Sequence, residues 1–154
     1  MNYIEFKLLR ESLHLSRHDL AEIWEINPRS VQRWDKGELA IPQNRQTQLY
    51  SYWVQINNAV LRFKSLLEEL EGKHSPADEI VLLAYDSWSY DGELEHYKMH
   101  NALLSRCREL ADNMGYTVRI VEFKPKDYEY WLKDREDTQA FRSQWASEQI
   151  ERAD

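Results

Sequence analysis

The stretch between Pro42 and Gly72 constrains the fold more than any other part of this sequence, because it contains no residue that breaks a helix. Apolar residues recur in it at alternating steps of four and three: Leu49, Trp53, Ile56, Val60, Phe63, Leu67 and Leu70. This heptad spacing predicts one long helix with an apolar seam, which Tyr52, Ala59 and Leu66 widen. We expect the first half of the seam to cover the N-terminal helices. The second half should meet another helix, either from the same chain or from a second copy of it.

Residues 1–37 carry the signals of three short helices. The apolar spacing of Ile4, Leu8, Leu9 and Leu13 predicts the first helix, over residues 3–13. Ser16 followed by Asp19 has the pattern of a capping box and predicts the start of the second, in which Leu20, Ile23 and Trp24 face inward. Asn27 before Pro28 predicts the start of the third. Val31 and Trp34 mark its buried face, and Gly37 marks its end.

The C-terminal half predicts a small α/β domain. The apolar run 80–85 and the β-branched and aromatic run 116–123 predict two strands, separated by a helix over 93–114. Strands joined in this way are parallel. Two strands alone are too few for a stable sheet. We therefore expect cover from helices at 126–134 and 138–151, from a second subunit, or from both.

Charge is distributed unevenly along the chain, whose net charge is −7. Residues 1–72 hold 9 basic against 10 acidic residues, and residues 73–154 hold 11 against 17, so the acidity belongs to the second half. The window 27–46 holds four basic residues against two acidic ones, a local net charge of +2. Local charge matters more than the total for phosphate binding, so the acidic average does not exclude DNA.

Composition excludes several other classes. A single cysteine, Cys107, excludes an internal disulfide framework and fits a reducing cytoplasm. The chain shows no signal peptide and no apolar run long enough to cross a membrane. It also lacks the glycine-rich nucleotide, nucleophile-elbow and zinc-protease motifs, so we expect neither an enzyme nor a cofactor.

Segment 15–37 resembles the lambda-repressor-like (XRE-type) helix-turn-helix. The matching parts are the cap Ser16, the small Ala21 where the second helix crosses, the cap Asn27, and the ending Trp34-Asp35-Lys36-Gly37. With the segment up to Pro42 and the long helix, it is similar to the anti-CRISPR-associated regulators and related short helix-turn-helix proteins. The resemblance is specific over residues 3–50. It implies homodimers that bind an inverted-repeat DNA operator and repress transcription.

Helix geometry and this resemblance together give candidate site residues. Arg29 and Gln32 lie three apart on the exposed face of the third helix and are predicted to read base edges. Arg33 is predicted to contact a base or a phosphate, and Pro28 to offer only apolar contact, so that DNA shape contributes to specificity. The predicted phosphate contacts are Ser16, Arg17, Ser30, Lys36, Asn44 and Arg45.

Two further constellations have plainer interpretations. His96, His100 and Cys107 share a helix face at a spacing that suits a metal, but apolar residues share that face, so we expect packing and no metal. The aromatic and acidic residues 85–91 follow a predicted strand, where ligands often bind. We favour an aromatic cluster there, with Asp91 as the N-cap of the following helix.

These observations predict an N-terminal all-α helix-turn-helix domain over residues 1–48, a connecting long helix over 49–72 and a small α/β dimerisation domain over 73–154. The function that we expect is DNA binding as a homodimeric repressor. The alternative is an interaction module, such as an antitoxin whose acidic half wraps a basic toxin. A more distant alternative is an enzyme with a polar pocket after residue 85.

Overall fold

The computed structural model describes residues 1–73 and 79–153, and those residues are mostly helical with a small parallel sheet. In chain order the elements are α1 Tyr3–Ser12, α2 Arg17–Ile23, α3 Pro28–Asp35, α4 Gln43–Leu70, β1 Glu79–Ala84, α5 Tyr97–Asn113, β2 Thr117–Glu122, α6 Pro125–Leu132 and α7 Gln139–Ala153. The chain divides into two compact units. The first unit is Met1–Leu61 with Gly92–Leu103, and the second unit is Arg62–Asp91 with Leu104–Asp154.

The long helix predicted between Pro42 and Gly72 is confirmed as α4. Its seam is buried at Leu49 and Ile56, in the core of the first unit, and at Leu67, in a core of the second. Trp53, Val60 and Phe63 are half-buried against the same cores. Leu66, which widens the apolar stripe, is 58 % exposed.

Three aromatic rings form the centre of the first unit. Phe6 lies 6.0 Å from Trp34 and 6.4 Å from Trp24 between ring centroids, and the two tryptophans are 6.3 Å apart. Tilted and edge-to-face contacts of this kind add to the stabilisation that burial itself gives. Phe6 lies on the buried side of α1 and is 0 % exposed. The spacing of Ile4 and Leu8 predicted the helix, but these two residues lie on its exposed side.

Part of α5 belongs to the core of the first unit, which the sequence analysis did not anticipate. Met99 and Ala102 are buried together with residues of α1 to α4. The predicted domain boundary at residue 73 lies beside residues 74–78, which are outside the described part of the chain. The ranges 1–48, 49–72 and 73–154 stay predictions, since the compact units combine separate stretches of sequence.

The predicted helix caps in the first unit are confirmed. Ser16 and Asp19 form a capping box at the start of α2, and Asn27 caps α3 with Pro28 as its first residue. Gly37 ends α3 with φ +71°, and its N–H donates to the Trp34 carbonyl at 3.0 Å. A left-handed residue just beyond the helix lets the chain turn back and satisfy the last carbonyls.

The second unit is built on the predicted pair of parallel strands. β1 and β2 are in register from Glu79 opposite Thr117 to Ala84 opposite Glu122. Two separate apolar clusters cover the strands: Ile80 and Leu82 join one that includes Leu67 and Ala111, while Val81 and Leu83 join one that includes Trp145. β1 is thus covered on both faces, as its apolar run predicted, and α6 and α7 provide cover within the chain.

Asp91 is not the N-cap that the sequence analysis predicted. The helix expected over 93–114 begins only at Tyr97, after a stretch of bends. The two carboxylate oxygens of Asp91 instead accept hydrogen bonds from Arg142 at 2.8 and 2.7 Å. A bidentate ion pair of this kind is stronger than a single capping bond to a neutral N–H.

Substitution of Gly37 by alanine tests the turn after α3. A Cβ there would lie 2.9 Å from the Tyr3 ring, whereas a Cβ at Gly115 (φ +85°) would have nothing within 4 Å. We expect Gly115→Ala to lower the free energy of unfolding by about 1–2 kcal/mol, the backbone cost alone. Gly37→Ala should lower it further in urea denaturation, and Tyr3→Ala in the same chain should remove the excess. Equal losses at Gly37 and Gly115 would contradict a steric role of Tyr3.

Candidate nucleic-acid interface

A four-residue connection joins α2 to α3 and sets their crossing. Glu25 has a left-handed backbone with φ +53°, and the N–H of Ile26 donates to the Ala21 carbonyl at 2.9 Å. α2 therefore ends in the same kind of turn as α3, but without a glycine. Ala21 is only 2 % exposed, in the core to which α3 also contributes. A side chain no larger than its methyl group lets the two helices pack closely at this point.

One side of α3 is anchored in the core and the other is open. Val31, Trp34 and Asp35 are buried. Three of the four residues predicted to read bases, Arg29, Gln32 and Arg33, are exposed on the other side. Within residues 1–73 and 79–153, the structure shows no side-chain hydrogen bond or ion pair for them. Their polar groups are thus available to an external partner.

The fourth predicted base contact and the first phosphate contact on α3 lie beside this face. Pro28 is exposed at the first position of the helix, and Ser30 is half-buried. The N–H of Ser30 donates to the Asn27 carbonyl at 2.9 Å, so that backbone donor is already used. Pro28 can supply only apolar surface, as the sequence predicted.

A buried carboxylate ties α3 to α1 and α2. The Asp35 side chain is fully buried, and its Oδ2 lies 2.8 Å from Arg10 Nη2 and 2.7 Å from Arg17 Nε. The Arg10 side chain is itself only 5 % exposed, and its Nη1 donates to the Leu15 carbonyl. Two arginines therefore share one acid in the interior of the first unit. This arrangement fixes the rotation of α3, and with it the direction of its outward side chains.

The Asp35 cluster was not predicted, although the sequence contains a signal for it. Asp35 follows Val31 by four residues, so the two lie on the same face of α3, and that face was predicted to be buried. A carboxylate on a buried face needs a cationic partner. Arg17 was predicted to bind phosphate, but here its Nε is bonded to Asp35 and its side chain is 43 % exposed.

The start of α2 is less open to a phosphate than the sequence suggested. The N–H of Ser16 donates to Asp19 Oδ2 at 2.7 Å, and Ser16 Oγ accepts the Asp19 N–H at 3.1 Å. The capping box thus engages both the N–H and the hydroxyl of Ser16. It also places the Asp19 carboxylate at the position that a phosphate would occupy. At this helix end the Arg17 side chain is 43 % exposed although its Nε is bonded to Asp35, so part of its guanidinium can still meet a phosphate.

The remaining predicted phosphate contacts differ in how far they are engaged. Lys36 is exposed, with its Nζ 3.8 Å from Glu38, and Asn44 is exposed. Arg45 is half-buried, donates to Gln48 at 2.8 Å, and holds its guanidinium 5.0 Å from the Trp24 ring centroid. Arg45 therefore packs against the core as well as carrying a charge.

Lys98 of α5 supports the start of α2. Its Nζ lies 2.8 Å from both carboxylate oxygens of Asp19. Burial alone would raise the pKa of Asp19, but the hydrogen bonds from Lys98 and Ser16 outweigh it and lower that pKa below its usual value. The hydrogen bond to Asp19 likewise raises the pKa of Lys98. Both groups are therefore charged at neutral pH.

The other constellations singled out in the sequence lie outside this interface. Burial lowers the pKa of His96 and raises that of the Cys107 thiol to about 11, so the thiol is protonated at neutral pH. No three potential metal ligands of the His, Cys, Asp and Glu types come together in the described ranges. Asp86 closes a tight turn by accepting the N–H groups of Trp88 and Ser89. In the described part of the chain no helix is both long and apolar enough to cross a membrane.

Arg142 organises the acidic residues that follow residue 85. Besides Asp91, it binds Asp137 at 2.6 and 3.0 Å. Its hydrogen bonds lower the pKa values of both carboxyl groups. Asp86, held by Ser89, also has a lowered pKa. The lowered pKa values of these three carboxyl groups favour the ionised form, whereas a general acid needs a raised pKa.

Comparison with known proteins adds no assignment. No protein-family model matches the chain, and no curated protein matches it.

Replacing the buried acid tests whether it anchors α3. Asp35→Asn leaves Arg10 buried without its counter-charge, so we expect the free energy of unfolding to fall by about 3–5 kcal/mol. The matched control is Glu11→Gln, which removes an exposed carboxylate 3.4 Å from the same arginine. Glu11→Gln should lower the free energy of unfolding by about 1 kcal/mol or less. Urea denaturation of both variants measures the difference, and losses of similar size would contradict the anchoring role.

Proposed function

We propose that this protein is a DNA-binding transcriptional regulator, of the lambda-repressor-like (XRE-type) helix-turn-helix kind. In this proposal α3 enters the major groove of a double-stranded operator as the recognition helix. The single observation that carries the proposal is the division of α3 into a buried side anchored by Asp35 and an open side with Arg29, Gln32 and Arg33. Long polar donors held rigidly on the outside of a helix have the form that base reading requires.

The residue types on the open side support specific rather than general binding. Arg29 can donate two hydrogen bonds to guanine, and Gln32 can both donate to and accept from adenine. Arg33, one position further, is suited to a base or to the adjacent phosphate. Because Pro28 adds only apolar contact, we expect part of the specificity to come from the shape of the DNA.

The local charge around α3 also supports DNA binding by its open side. Asp35 is one of the two acidic residues in the window 27–46, and it is paired with Arg10 and Arg17. Its charge therefore does not oppose a phosphate outside. The window also contains Lys36, directly after α3, and Arg45, near the start of α4. The acidity of residues 73–154 would keep that half away from the DNA backbone.

We further propose that the protein acts as a homodimer on an inverted repeat. A single short helix reads few base pairs, so two half-sites about 34 Å apart give the specificity that one cannot. The long helix α4 and the C-terminal half are the proposed interface. α4 carries exposed apolar side chains, among them Tyr50 and Leu66, which are 53 % and 58 % exposed. A dimer bound in this way would repress transcription by blocking polymerase.

Substitutions on the open side of α3 test the base-reading role. A preferred operator is first selected with the full chain from random double-stranded DNA. Arg29→Ala and Gln32→Ala should each reduce discrimination between operator and random DNA by about 1–3 kcal/mol. Arg62→Ala, an exposed arginine on α4, is the control and should leave discrimination unchanged.

Electrophoretic mobility shifts at several salt concentrations measure both affinities. Binding should weaken steeply with salt because phosphate contacts release counterions. Unchanged discrimination in both α3 variants would remove the site assignment, and failure to select any sequence would contradict the proposed function.

The dimer is best tested in the full chain. A fragment ending at residue 72 would lack Met99 and Ala102, which are buried in the first unit, so its behaviour would report on folding as well as assembly. Leu66→Lys places a charge on the exposed apolar surface of α4 and should shift sedimentation velocity from dimer to monomer. Ile4→Lys, at a similarly exposed position of α1 (51 % against 58 %), should not. A parent chain that sediments as a monomer would contradict the proposed interface.

A further inference from the structure

A partly open cavity in the second unit is lined mainly by basic and aromatic side chains. It has a volume of about 760 Å³ and is lined by residues of α6, α7 and the segment after α6. This is within the size range of sites for small molecules. Its basic lining residues are Lys133, Arg135 and Arg152, against one acidic residue, Asp127. A local excess of positive charge stands out in a half of the chain whose net charge is −6.

Arg135 is held in place before any ligand arrives. Its Nε and Nη2 donate to the backbone carbonyls of Leu132 and Trp131 at 2.9 and 2.6 Å. Its guanidinium lies 4.0 Å from the Trp131 ring centroid and 4.8 Å from that of Phe141. A cation fixed in this way loses little further freedom when an anion binds its remaining N–H groups.

Lys133 occupies a backbone conformation that suits glycine. Its φ of +56° and ψ of −127° lie in a region that residues with a side chain rarely adopt. Its ammonium group has no hydrogen bond or ion pair with the described residues of the chain. Among the described residues the lysine therefore gains no hydrogen bond or ion pair that offsets the backbone strain, and its charge is available at the cavity.

Arg152 and Tyr130 complete the arrangement. Arg152 is 68 % exposed and lies 4.0 Å from Glu148, whose Oε2 also accepts the Trp131 Nε1–H at 2.7 Å. Tyr130 is 86 % exposed, and its ring makes no aromatic contact among the described residues. The cavity thus has separate cations for an anionic group and a flat apolar surface beside them.

We propose that this cavity binds a small phosphorylated molecule with a planar ring. The phosphate would lie among Lys133, Arg135 and Arg152, and the ring against Tyr130. A phosphate fits better than a carboxylate because it carries more charge and three strong acceptor oxygens for three separate cations. The site is distinct from the proposed DNA-reading face on α3, and its test needs no DNA.

The test is calorimetric titration of the full chain with adenosine monophosphate, inorganic phosphate and adenosine as separate probes. Adenosine monophosphate should bind most tightly, because it alone carries both the phosphate and the ring. The double variant K133G/R152Q should weaken that binding by about tenfold or more. The control K124M/R108Q removes the same charge at exposed residues that do not line the cavity, and should bind as the parent does.

The single substitution K133G separates binding from folding. Because it relieves the positive-φ strain, K133G should not lower the thermal midpoint even though it weakens the binding of adenosine monophosphate. The proposal is overturned if adenosine monophosphate gives no binding heat or binds no tighter than adenosine or phosphate alone. It is equally overturned if the cavity variant and the charge-matched control bind alike.

Discussion

The carboxylate of Asp35 is the point on which the arrangement of the first unit depends. It receives Arg10 from α1 and Arg17 at the start of α2, while it belongs to α3 itself. An unpaired charge at this depth would be strongly destabilising, so the three helices can pack only in an orientation that brings these groups together. The aromatic cluster of Phe6, Trp24 and Trp34 supplies burial energy, but apolar contacts are less directional. The ion cluster therefore fixes the rotation of α3.

That rotation is what connects the fold to the proposed function. With Asp35 and Val31 turned inward, helical geometry turns Arg29, Gln32 and Arg33 outward together. The same acid that would repel DNA if it were exposed is neutralised inside the protein. A second support comes from Lys98, which binds Asp19 at the start of α2 although it is far away in sequence. The candidate reading face is thus held in place by contacts that do not belong to the face itself.

Much of the secondary structure could be predicted because its signals are local. The capping box at Ser16, the glycine stop at Gly37, the long helix and the two strands all follow from short-range patterns. The wrong N-cap prediction has a physical cause, which is competition from a distant partner. Asp91 was predicted to cap a helix but binds Arg142. Arg17 also has a distant partner, Asp35, while its phosphate contact stays a prediction. A sequence shows which groups are charged, but it does not show which of them meet.

Sequence patterns were enough to predict the helix and strand types, the buried side of α3 and the residues on its open side, because periodicity and capping act over a few residues. The packing of the folded chain was needed to show that part of α5 completes the first core and that Arg10 is buried. It was also needed to show that three basic residues line one cavity in the acidic half. These features depend on residues far apart in the chain being brought within a few ångströms, and that proximity arises only from the packing of the complete elements.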